Sequence, residues 1–285
     1  MKFGIMFANV VGGGDAETAV AMAQAAEEAG FESLWTVEHV VVPAGYESPY
    51  PYSTSGRMPG PETSPIPDPF IWLAYVAAAT STIHLGTGIT ILPQRNPLVT
   101  AKAVATLDRM SGGRVELGVG AGWLEEEFRA LGVPFEQRGA RLDEYIGALR
   151  ALWSEERPSY HGEFVDFTDC FCQPQPIDGR VPIHIGGHTN RAARRAGELG
   201  DGFFPGSADP ELLAGLLGTM RKVAAEHDRD ADAIEVTTGG LPDVAAVERM
   251  AEMGIHRVVV PPMAFDADGI RRQLETFADD VISHL

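Results

Sequence analysis

Apolar residues recur along this chain in two alternating rhythms. Short runs spaced by two give way to longer stretches spaced near 3.6, the patterns of strands and amphipathic helices. Lys2 to Phe7 predicts a strand that ends at Ala8-Asn9 and runs into the turn Gly12 to Gly14. Asp15 or Thr18 can cap the helix that follows, which ends near Gly30 and carries an apolar stripe of Ala19, Met22, Ala23 and Ala26. Phe31 to Val37 predicts a second strand, with Glu38-His39 at its end, and Pro43 to Pro69 is a long irregular segment. Loops of that length inside a compact domain serve as lids or binding loops. Phe70 to Thr80 predicts a helix, Ile83 to Leu92 a third strand, and Leu98 to Met110 another helix.

The stretch from Arg114 to Phe128, RVELGVGAGWLEEEF, compresses the whole rhythm into one unit. Val115, Leu117 and Val119 alternate as a fourth strand, Gly118, Gly120 and Gly122 let the backbone bend and approach something flat, and Leu124 to Phe128 begins a helix. Acids in that first turn suit the helix dipole. A further helix spans Gly139 to Trp153.

Residues 155–181 break the alternation, with a small hairpin over Tyr160 to Phe167 and a proline-rich return from Gln173 to Pro182. Strands five to eight then follow at Pro182–Gly187, Gly202–Phe204, Ile234–Thr238 and His256–Val260. Their helices span Thr189–Gly197, Pro210–His227, Asp243–Met253 and Asp268–Val281. Eight strand–helix units in 285 residues predict an α/β fold, a (β/α)8 TIM barrel, in one domain over residues 1–285. The long loop at 43–69 and the insertion at 155–181 decorate it. An open doubly wound sheet is the competing reading and fits eight units poorly. GVGAG lacks the GxGxxG spacing and sits mid-chain, so no dinucleotide fold is expected.

The net charge of −18 argues against non-specific binding to nucleic acid or an anionic membrane. Signal-peptide features and a membrane-length apolar run are not expected from this sequence. Cys170 and Cys172, one residue apart, suit neither a disulfide framework nor a four-ligand metal site. A cytoplasmic location without a metal is the expectation.

In such a barrel the chemistry lies where strands end. The histidines do not cluster in sequence, and neither HExxH nor GxSxG occurs. What remains is an acid–histidine pair and several glycine turns, which suits an enzyme whose cofactor carries the hard chemistry. His39 is the candidate for proton transfer, since imidazole titrates near neutrality. A capping or packing histidine is the equal alternative on spacing alone. Gly186-Gly187-His188-Thr189-Asn190 opens a helix bearing Arg191, Arg194 and Arg195, where free N–H groups can bind an anion. Gly206-Ser207 and Gly239-Gly240 offer further donors. Tyr46, Tyr50 and Tyr52 either form an apolar lid or anchor the long loop to the barrel rim.

FGIMFAN, SLWTVEH, HLGTGITILPQRNPL, DRMSGGRVELGVGAGWLEEEF, GARLDEYIGALRALW, YHGEFVDF, PIHIGGHTNRAARRAGELGDGFFP and GIHRVVVPP occur in this order over nearly the whole chain. Together they resemble the luciferase-like monooxygenase superfamily, and within it the branch that uses the deazaflavin coenzyme F420. The resemblance implies a barrel, usually dimeric, so a homodimer is expected, acting on a small-molecule substrate. It implies that His39 transfers a proton and that Glu38 contacts the cofactor. It places a non-proline cis peptide at Gly88–Ile89 behind the deazaflavin ring, with Ile89, Thr90, Ala121 and Gly122 along the ring. Gly186, Gly187, Thr189, Gly206 and Ser207 would hold the phosphate region, and Asn9 and Trp123 would line the substrate pocket. A sugar-phosphate dehydrogenase branch carries a catalytic glutamate where this chain has Trp123, so that substrate is not implied here. The expected activity is an F420-dependent oxidoreductase. The alternatives are an FMN-dependent monooxygenase and a catalytically silent F420-binding protein.

Overall fold

Each alternating run becomes a parallel strand and each 3.6-period stretch a helix laid outside it. A computed structural model describes residues 1–207 and 209–285. In chain order the elements begin with β1 (Lys2–Ile5), α1 (Ala16–Glu28), β2 (Ser33–Thr36), α2 (Pro69–Ala77), β3 (His84–Thr87), β4 (Thr90–Ile91) and α3 (Pro97–Ser111). They continue with β5 (Val115–Gly120), α4 (Glu125–Ala130), α5 (Arg138–Ser154), β6 (Tyr160–His161), β7 (Asp166–Phe167) and β8 (Ile183–Gly186). The last are α6 (Asn190–Leu199), β9 (Gly202–Phe204), α7 (Pro210–Glu226), β10 (Glu235–Gly239), α8 (Val244–Glu252), β11 (Arg257–Val260) and α9 (Ala267–Asp280). Asp15 caps α1 by accepting from Thr18 N–H, and Thr189 caps α6. No helix among the described residues is long and apolar enough to cross a membrane.

The sheet runs β3-β2-β1-β11-β10-β9-β8-β5-β4, and a β3–β5 pairing closes it into a barrel. The insertion holds the β6–β7 antiparallel hairpin. One expected strand is broken. Residues 83–92 form β3 and β4, which share a single barrel position. Gly86 faces Glu116 and Thr90 faces Val119, so residues 87–89 oppose only 117–118. That one-residue excess is a β-bulge, and the Gly88–Ile89 bond inside it is cis.

The bulge explains the glycines of β5. A methyl group on Gly118 would collide with the Thr87 carbonyl oxygen, and one on Gly120 with the Ile89 side chain. A methyl on Gly186 of β8 would lie 2.7 Å from Ile89 Cγ2. These glycines make room for the chain's own bulge, whereas the sequence reading gave that space to a flat ring. Gly118→Ala is therefore expected to cost about 1–3 kcal/mol or more by overpacking, and more than Gly120→Ala. Backbone cannot swing away from the new methyl as the end of Ile89 can. Urea unfolding of the two variants gives the order, and equal stabilities would refute it.

Below the bulge the barrel is filled by Trp35, whose ring meets His184 and Phe204 edge to face at 5.3 and 5.6 Å. Lower still lies a buried charge network. Arg257, fully buried, reaches Glu32 at 2.7 Å and Glu116 and Glu235 at 3.1 Å each. His84 Nδ1 lies 2.9 Å from Glu116 Oε1, and His184 Nε2 lies 2.8 Å from Oε2. Two histidines therefore do converge here, against the expectation from sequence spacing. Ligand atoms of Glu32, His84 and Glu116, and of Glu116, His184 and Glu235, lie within 4.8 Å of one another. The Arg257 guanidinium already supplies positive charge to these carboxylates.

Burial pulls the Glu116 carboxyl upward, but hydrogen bonds from His184 and His84 and the charge of Arg257 hold it well below the usual range. The bond to Glu116 raises the His84 imidazole. Glu116 thus contributes stability that is present above about pH 4.5 and is lost as pH falls through its folded value. His84 contributes stability that is fully present below about pH 6.5 and is lost as pH rises through its raised value. A stability plateau between those limits is expected in thermal unfolding across pH. His84→Asn should flatten the alkaline slope by no more than ~1 kcal/mol, because the side chain is partly exposed and screened. An unchanged alkaline slope in that variant would disprove the assignment.

Candidate active site

The mouth is built outward from the end of β2. Asn9, expected in the substrate pocket, is instead fully buried. Its amide donates to Val37 and Pro67 carbonyl oxygens at 2.8 Å each and accepts from Val37 N–H at 2.9 Å. It fastens the β1 loop to the strand that carries the site.

Glu38, expected at the cofactor, is turned to the bulge. Its Oε2 accepts from Ile91 N–H at 2.6 Å, and its Oε1 accepts from Arg95 Nε at 2.6 Å and from the Arg95 Nη2 group. Arg95 also binds Asp68 at 2.9 Å. Burial pushes the Glu38 carboxyl up, against the lowering effect of Arg95 and the Ile91 N–H. Both oxygens are occupied in holding the far end of the bulge.

His39 points the other way and meets Glu127. Its Nδ1 lies 2.9 Å from Glu127 Oε2, with only 10% of the imidazole and 1% of the acid side chain exposed. Glu127 Oε1 also accepts from Val40 N–H at 2.6 Å and Val41 N–H at 3.2 Å. A carboxylate only accepts, so Nδ1 carries the proton and Nε2 is left as the nitrogen with a free lone pair. The sequence reading missed this acid by assigning it to ordinary first-turn helix chemistry. The one available signal was its place directly after the glycine turn of β5.

The long loop does cross the mouth. Trp123 meets His39 at 5.8 Å, Tyr46 at 5.5 Å and Tyr50 at 5.2 Å, all edge to face. The line continues through Tyr50–Tyr52 at 5.4 Å and Tyr52–His188 at 4.9 Å. The same short helix that supplies Glu127 anchors the loop. Glu126 Oε1 accepts from Glu47 N–H at 2.7 Å and Ser48 N–H at 3.1 Å. Hydrogen bonds from Ser48 and Glu47 hold the Glu126 carboxyl at about 2.

The other expected residues take several positions. Ile89 fills the barrel beneath the mouth, and Gly88 lies against Phe204 and Trp35. Thr90 is fully buried opposite Val119, on the face turned to the helices. Ala121 is half-buried against the core. Gly122 has φ +83°, and a side chain there would meet Ile91 and Phe128 at 2.7 Å. Gly187 N–H donates to Phe204 O at 3.2 Å, Thr189 caps α6, and Ser207 Oγ accepts from Asp209 N–H at 3.1 Å. Gly206 lies under the Tyr52 ring. Arg195 leaves the expected anion site and pairs with Asp143 on α5.

A closed parallel barrel with an acid-held imidazole at the carboxyl ends of its strands has the architecture of an enzyme. The profile of the luciferase-like monooxygenase family matches residues 1–278, and the chain belongs to that family. An uncharacterized protein of Mycobacterium tuberculosis strain H37Rv is 32% identical over 273 residues, 93% of this chain and 94% of that protein. An F420-dependent glucose-6-phosphate dehydrogenase of Kineococcus radiotolerans is 35% identical over 183 residues, 63% of this chain and 49% of its own. An FMNH2-dependent dimethylsulfone monooxygenase of Pseudomonas putida is 34% identical over 136 residues, 46% of this chain and 38% of its own. The crystal structure of a monooxygenase from Streptomyces bottropensis shares the fold, with a TM-score of 0.81, 22% identity, and 100% and 99% of the two chains covered.

Proposed function

We propose that this chain is a coenzyme F420-dependent oxidoreductase that moves a hydride between the deazaflavin and a small organic substrate. The observation that carries this reading is the buried His39–Glu127 pair at the barrel mouth. It provides a proton donor or acceptor and no nucleophile, which is what hydride chemistry asks of the protein. The Kineococcus relative supports the deazaflavin.

The residues at the mouth fit a planar heterocycle with an anionic tail. Both ends of the Gln94 amide and His188 Nδ1 are buried without a partner among the described residues, as sites for a ligand's polar edge would be. The first N–H groups of α6, beyond the Thr189 cap, suit a phosphate. When bound, the deazaflavin would supply or accept the hydride. Glu127 keeps the proton on His39 Nδ1, and Nε2 exchanges the proton with substrate. Trp123 and the tyrosines of the long loop exclude water. The family resemblance adds a homodimer, which sedimentation would test.

The Pseudomonas relative favours a second reading, an FMN-dependent monooxygenase. Absorbance titrations with F420 and FMN separate the two. The expected result is tighter binding of F420 and reoxidation of the reduced cofactor by an organic substrate without oxygen uptake. Tighter FMN binding with oxygen uptake would replace the first reading by the second. A silent cofactor-binding protein would bind F420 and turn over nothing, and the His39–Glu127 pair speaks against it.

A further inference from the structure

The wall beside His39 is aromatic, and the charges around it are already engaged. Trp123, Tyr50 and Tyr52 form one continuous edge-to-face line between His39 and His188, with Tyr46 branching from Trp123. Edge-to-face packing leaves ring faces at right angles to their neighbours, a geometry that receives another flat ring. The Tyr46 hydroxyl already accepts from Met58 N–H at 2.9 Å.

Three arginines flanking this wall are already engaged, and Arg191, exposed at the start of α6 near Arg138, sits at the end assigned to the cofactor's phosphate. Arg57 stacks over Tyr46 at 4.7 Å and donates to the Tyr46 carbonyl. Arg95 is held by Glu38 and Asp68. Arg138 donates to Gly122 O at 3.1 Å and stacks over Phe135 at 3.7 Å. The neighbouring acids Glu126 and Glu127 are likewise bound to loop N–H groups.

We propose that the substrate is an uncharged, flat, conjugated carbonyl compound, an aromatic ketone or enone, stacked on the Trp123–Tyr50 wall with its carbonyl oxygen toward His39. This rests on the hydride-transfer reading above. In the reducing direction the carbonyl carbon receives the hydride, with its two electrons, from the reduced deazaflavin. The oxygen takes a proton from Nε2 of His39 in its imidazolium form, which leaves Nδ1–H on Glu127, so C–H and O–H bonds form as the C=O π bond is lost. The cofactor is left oxidised, and solvent returns a proton to the imidazole. Beside His39 and Trp123 a phosphorylated sugar would find only arginines that already donate to this chain, and a small aliphatic ketone would find little to stack on.

The test uses the full chain saturated with F420 and titrated calorimetrically with an uncharged naphthyl ketone, glucose 6-phosphate and acetone. Trp35, Trp72 and Trp153 are buried, so quenching of tryptophan emission reports chiefly on the half-buried Trp123. The naphthyl ketone should bind saturably and at least about tenfold more tightly than the other two, a gap that a single stacking partner can supply. Its quenching should vanish in Trp123→Phe. Tyr50→Ala should weaken the ketone while F420 affinity holds, and Tyr52→Ala should independently weaken the ketone. Tighter binding of glucose 6-phosphate or acetone, or unchanged ketone affinity in both tyrosine variants, would overturn the proposal. Ketone binding at Trp123 by a protein that takes up no F420 would instead refute the cofactor reading and leave the wall's preference intact.

Discussion

His39→Ala is expected to lower turnover at saturating substrate by about 10²–10⁴-fold, the range that a positioned general acid or base contributes. The acids beside it cannot substitute for it, and the His188 imidazole lies three rings away along the wall. Glu127 is buried behind the imidazole and Glu38 is held by Arg95 and Ile91 N–H. The Tyr52 hydroxyl is pushed up to about 12 by desolvation and by Tyr50, so it is a poor base at neutral pH. The measurement is single-turnover reoxidation of reduced F420, with cofactor affinity followed separately. His39→Ala should spare affinity, because the imidazole is engaged with Glu127 and Trp123. Added imidazole should restore part of the lost rate by filling the space left behind. Full turnover without His39 would move the proton step to water and end the assignment.

Much of the scaffold is legible in the sequence, because strands and helices follow from periods that a single segment displays. The caps at Asp15 and Thr189 are equally local, each a side chain bonding an N–H three residues on. So is the position of His39 at a strand end, since the barrel puts every strand end on one face. The family resemblance located the cis bond at Gly88–Ile89.

What one segment cannot display is a partner from another. Glu127 and His39 are 88 residues apart and meet only because the barrel closes. From inside its own helix, Glu127 is one of three consecutive acids in a first turn. Glu116 likewise reads as an exposed residue in an alternating strand until His84, His184 and Arg257 converge on it. The glycines of β5 misled for a related reason. A glycine reports that something comes close, without saying what, and here it is Thr87 and Ile89 of this chain. Glu38 and Asn9 lie beyond strand ends, as the sequence pattern predicts, but their side chains fasten backbone.

Glu127 therefore carries the second large effect, and its two variants separate orientation from support. Glu127→Gln keeps the shape and loses the charge, and an amide can still accept from Val40 or Val41 N–H through its oxygen. Turning that oxygen to the loop presents the amide NH2 to His39 Nδ1, which favours the wrong tautomer. A hydrogen bond to a charged group is worth about 1.5–3 kcal/mol, so turnover should fall roughly 10- to 150-fold. Glu127→Ala also strands His39 Nδ1–H and two loop N–H groups. It should lose about 1–3 kcal/mol of stability for the buried His39 donor left unpaired, and less for the N–H groups of the exposed Val40 and Val41, read by urea unfolding. The discriminating measurement is a double-mutant cycle. If Glu127 acts through His39, Glu127→Gln added to His39→Ala should lower turnover no further. A second full loss on that background would mean that Glu127 reaches substrate or loop on its own account, and the role of positioning His39 would fall. Unchanged turnover in Glu127→Gln, with stability intact, would show that packing against Trp123 alone orients the imidazole.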